Sequence, residues 1–139
     1  MIYLLGQNIL DGKLLLEKLA RRISLHAAFW VHYPEPSLVI SSPMVDSHGS
    51  LPVYHAILAA AQEAELILPR RIYAVSVDDP VVKELAALPP NFKSGEFVIS
   101  TVYYLCYAPY LEEGQSIVRG YVYQLDRRSA DSAQILGEL

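Results

Sequence analysis

Residues 37–54 constrain the fold more than any other stretch of the chain. Leu38, Val39 and Ile40 form a β-rich run, residues 41–50 supply turn-forming Ser, Pro, Asp and Gly, and Leu51-Pro52 opens a helical pattern. That helix is expected to run to about Ala64, with Ser50 as N-cap and Pro52 in the first turn, where a missing N–H costs nothing. The alanines at 59–61 predict close packing on a sheet. A second β-rich run occupies residues 72–77. Strand, helix, strand is a βαβ unit, so the two strands are expected to be parallel and joined by a right-handed crossover. Asp79 and Pro80 then read as N-cap and first residue of a short helix over residues 81–88.

The flanking segments add antiparallel elements. Apolar residues from Ile9 to Ile23 recur at helical spacing, opposite Lys13, Glu17, Lys18, Arg21 and Arg22. Asp11 is the expected N-cap of this helix, or Asn8 if Gly12 lies inside it. Residues 26–33 are Ala, Phe, Trp, Val and Tyr rich and are separated from Leu38 by a Pro-Glu-Pro turn, which predicts a hairpin. Ala28, Trp30 and His32 would face one side of that strand and Phe29, Val31 and Tyr33 the other. Both sides are largely apolar, so the strand is expected at the centre of the sheet. Residues 96–107 and 116–125 read as a second hairpin with a larger loop. The expected fold is α+β (mixed α/β): one domain over residues 1–125, an about five-stranded mixed sheet, two β-hairpins, one βαβ crossover and three helices. Residues 126–139 form a polar C-terminal tail.

Composition narrows the function classes. A chain of 139 residues forms one core by default. The hydrophobic share of 53% against 19% charged residues argues for apolar surface that a partner covers. A net charge of −4 disfavours nucleic acid, whose phosphates demand clustered Lys and Arg. Cys106 is the single cysteine, which excludes an internal disulfide and points to a reducing cytoplasmic compartment. The apolar start is too short for a membrane span and lacks the basic flank of a signal peptide. No phosphate loop, HExxH or GxSxG pattern is present, and no cofactor is expected.

Two constellations remain. Ligands of parallel sheets gather beyond the carboxyl ends of the strands, and here both ends carry acidic loops: Asp46 and His48 after the first strand, Asp78 and Asp79 after the second. Asp and His together could bind a divalent cation or hold a general acid and base, as in a small metal-assisted hydrolase or nuclease. The nearby helix N-termini would suit a small anion instead. The same residues are also those that caps and turns require, and that plainer reading carries more weight.

The second constellation is aromatic. Six of ten tyrosines fall within residues 103–123. Tyr121 and Tyr123 share a strand face with Arg119, and Tyr103 and Tyr107 share a face of the preceding strand. Cross-strand aromatic pairs stabilise sheets, and Tyr with Arg also marks interfaces. The leading expectation is therefore a non-enzymatic cytoplasmic interaction or accessory protein. It would act through a homodimer or a protein partner, with no nucleic acid and no membrane; the hydrolase or nuclease is the alternative.

The succession Ala27-Ala28-Phe29-Trp30-Val31, residues 38–46, Gly49, Tyr54 and residues 75–83 resembles a group of small bacterial proteins to which no activity is attached. The resemblance covers the middle two fifths of the chain. It implies a bacterial source and the same α/β core, and it transfers no catalytic residue.

Overall fold

The computed structural model describes residues 6–87, 95–100, 108–112 and 115–123. The elements are α1 (Gly6–Leu19), β1 (Ala27–Val31), β2 (Ser37–Ser41), α2 (Pro43–His48), α3 (Ser50–Glu63), β3 (Ile72–Val75), α4 (Pro80–Ala86), β4 (Gly95–Ser100) and β5 (Ile117–Val122). The strands form one mixed sheet in the order β3-β2-β1-β5-β4. Only β2 and β3 are parallel, with Leu38 beside Ile72 and Ser41 beside Val75. The α+β class, the single domain, the crossover and both hairpins match the reading of the sequence, with one helix more than the three expected.

The two-sided apolar character of β1 puts it at the centre. Ala28 and Trp30 point into the core beneath α1 and α3, while Phe29 and Val31 point into a second core closed by Val81, Val82 and Leu85 of α4 and by Tyr110. Trp30 is 1% exposed. Burying so large a ring is worth about 5 kcal/mol of transfer free energy. In the second core Phe29 meets Phe97 and Tyr110 edge to face, at centroid distances of 6.1 and 5.9 Å.

Several boundaries differ from expectation, each for a local reason. Residues 43–48, read as loop, form α2. Ser42 has an extended backbone and its hydroxyl accepts from the N–H of Met44 at 3.1 Å, so Ser-Pro here is an N-cap followed by a first helical residue. The same hydroxyl donates to the carbonyl of Ser24 at 2.7 Å, fixing α2 to the segment before β1. Gly49, at φ 81°, ends α2 and begins α3. Ser50 is therefore already helical, and Gly49 occupies the N-cap position assigned to it. Positive φ at that position explains why glycine stands there.

Helix α1, described over Gly6–Leu19, keeps Asn8, Asp11 and Gly12 inside, so neither Asn8 nor Asp11 is its cap. A Cβ on Gly12 would run into the Tyr123 hydroxyl and the Trp30 indole, which offsets the usual cost of a helical glycine. The helix stops at Leu19, and residues 20–22 form a turn that delivers Ile23 to the core. Strand β3 is shorter than expected because Ser76 to Asp78 turn away from it. The cap at Asp79 matches expectation: its Oδ1 accepts from Val81 N at 2.9 Å and Val82 N at 3.2 Å. Tyr103, Cys106 and Tyr107, and residues 126–139, lie outside the described residues.

Candidate functional site

Parallel register brings the carboxyl ends of β2 and β3 together, and the loops that follow them do meet. The Ser76 hydroxyl donates to Asp46 Oδ1 at 2.5 Å, and the Val77 N–H donates to Oδ2 at 3.3 Å. Ser76 Oγ also accepts from the Asp78 N–H at 3.0 Å, so a single serine links both acidic loops. The signal for it was present in Ser76-Val77-Asp78, the spacing of a Ser turn.

The other two candidates are engaged elsewhere. His48 Nδ1 pairs with its neighbour Ser47 Oγ at 2.6 Å. Asp79 spends its carboxylate on the α4 cap and on the Tyr110 hydroxyl, 2.6 Å away on the α4 side of the sheet. Asp78 lies 3.9 Å from Lys83, an exposed pair of small energetic weight. Among the described residues, no three His, Cys, Asp or Glu side chains are grouped to hold a metal ion.

The Ser76 hydroxyl is the main cause that holds the Asp46 carboxyl below its ordinary pKa, against a partial counter-effect of desolvation. Because the folded carboxylate titrates below the unfolded one, its contribution is complete above the ordinary carboxylate range and disappears as pH falls through the folded pKa. Asp46→Asn is expected to lower the melting temperature above the ordinary carboxylate range, where the contribution is complete, and to converge on the natural chain as pH falls through the folded pKa. A loss of equal size at every pH would instead mean that the stability at this position does not depend on the charge of Asp46.

The β4–β5 hairpin has two unlike faces. Toward α4, Phe97, Ile99 and Val118 are buried. On the opposite face Glu96, Ser100 and Arg119 surround Val98, 61% exposed, and Ile117, 51% exposed. These two were missed by a reading that favoured tyrosines, although Val98 stands out in a stripe that is otherwise Glu96 and Ser100. In the order of described strands β4 is also the outermost, next to β5 alone.

The tyrosines of β5 divide between surface and core. Tyr121 is half-buried beside Arg119, with its ring 5.3 Å from that of Tyr123. Tyr123, expected at an interface, is instead in the core because its hydroxyl has two interior partners. It accepts from Trp30 Nε1 at 2.7 Å and donates to the Ile9 carbonyl at 2.8 Å. Burial is the main reason its phenol pKa is pushed up to about 12. Among the described helices, none is long and apolar enough to cross a membrane. Compared with family models, curated proteins and solved structures, the chain has no match.

Proposed function

We propose that this is a non-enzymatic protein that pairs with a second copy of itself along β4 and the face of the β4–β5 hairpin that carries the exposed Val98 and Ile117. The observation that carries the reading is the pair Val98 on the outer strand β4 and Ile117 on its neighbour β5, two exposed apolar side chains flanking Arg119 of β5. An outer strand presents a row of backbone donors and acceptors, and such rows template further pairing unless they are blunted. A second copy is the partner that offers the same row in antiparallel sense about a two-fold axis, so the contact closes as a dimer. The apolar surplus of the chain supports the reading, since pairing would remove Val98 and Ile117 from water. The single Cys106 supports a cytoplasmic setting, and the resemblance noted above supports a bacterial source.

Sedimentation equilibrium tests the pairing. The natural chain is expected to show twice its 15.5 kDa mass at high concentration, and Val98→Lys/Ile117→Lys to show the single mass with an unchanged melting temperature at low concentration. A natural chain that stays at the single mass, or a double variant that still dimerises, would overturn the proposal.

A further inference from the structure

An unassigned concave feature lies between the first turns of α1 and the connection from α3 to β3. It is a cavity of about 330 Å³ with Leu15 and Trp30 among its lining and Leu66 and Leu68 on the connection's side. Its volume falls at the lower end of the range for ligand pockets, about 300–1,000 Å³, which favours a small occupant. Ile67, another lining residue, is 96% exposed.

The polar lining carries charges of both signs. Asp11 belongs to α1 and Arg70 to the connection, and both line the cavity. Asp11 accepts from the Gln7 amide at 2.8 Å and keeps further acceptor capacity. Arg70 forms no ion pair among the described residues, whereas its neighbour Arg71 reaches Glu35 and Tyr73. A purely anionic ligand would meet Asp11 and a purely cationic one would meet Arg70. A zwitterion satisfies both, and its apolar part would rest on the leucines and beside Ile67.

We propose that this cavity binds a free α-amino acid with an apolar side chain, its carboxylate on Arg70 and its ammonium on Asp11. Gly12 also lines the cavity, with backbone alone. The site involves neither Val98 nor Ile117, so it stands or falls apart from the pairing of β4.

Thermal unfolding and calorimetric titration of the full chain test it, with L-leucine and L-phenylalanine as probes. At least one is expected to raise the melting temperature in a concentration-dependent way, as a ligand of the folded state must. Leucinamide, which lacks the carboxylate, and 4-methylpentanoate, which lacks the ammonium, are expected to bind at least tenfold more weakly. Arg70→Ala and Asp11→Asn are each expected to weaken the better probe at least tenfold without lowering the melting temperature of the unliganded chain. No shift with either amino acid at millimolar concentration, equal binding of the amide or the deaminated acid, or full affinity in both variants would overturn the proposal.

Discussion

Gly120→Ala is expected to lower stability to unfolding by about 3 kcal/mol, the upper part of what overpacking a tight interior costs. Gly120 pairs with Val31 of β1 on one side and Phe97 of β4 on the other. A Cβ built there would overlap the Trp30 backbone carbonyl and press on the Phe97 ring. A backbone carbonyl cannot rotate aside as a side chain can, so relief requires β1 and β5 to part. That would disturb the central strand and both cores at once. Urea unfolding followed by tryptophan fluorescence reads the effect, because Trp30 is the single tryptophan and sits beside the strained contact. A loss below about 1 kcal/mol, the centre of the range for point substitutions in general, would show that β5 does not approach β1 so closely.

Tyr123→Phe is expected to cost about 2–3 kcal/mol. The hydroxyl accepts from one buried group and donates to another, so its removal leaves the Trp30 N–H and the Ile9 carbonyl without this partner. Among the described residues, no buried side-chain nitrogen or oxygen lacks a hydrogen bond, so the substitution would create the first. An alkaline titration gives a second readout. With the folded phenol pKa raised to about 12, the unfolded chain loses this proton first. The associated stability is complete below pH 10 and declines as pH rises through the folded value. Phenolate absorbance should show a late step near pH 12 that Tyr123→Phe removes. A variant as stable as the natural chain, with the late step intact, would place the hydroxyl outside the core.

The βαβ unit was legible because independent signals agreed. Apolar runs marked β2 and β3, and Asp79-Pro80 marked the start of α4 through capping chemistry that acts within a few residues. The central place of β1 was legible from apolar side chains on both of its faces. Helix α2 was not, because Ser42-Pro43 serves equally as a turn and as an N-cap with its first helical residue; the Ser24 carbonyl that fixes the choice is 18 positions away. Tyr123 failed for the same reason at longer range, since Trp30 lies 93 positions away and strand periodicity says which face a residue takes without saying what covers it. The convergence of the acidic loops followed from parallel register alone. How their carboxylates are used did not, because Ser76 and Tyr110 decide it through contacts that topology leaves open. Val98 and Ile117 were not read from the sequence, because the register of β4 on β5 brings them to one face and alternation within each strand does not.

Self-pairing of β4 is tested most directly by amide hydrogen exchange of residues 95–99 as a function of protein concentration. The amides directed away from β5 have no strand beside them among the described residues, and a second β4 would supply their acceptors. They are expected to exchange slowly at concentrations where the chain is paired and to become fast on dilution, while the amides bonded to β5 stay protected throughout. Outward amides that exchange at one rate across the whole concentration range would contradict the pairing.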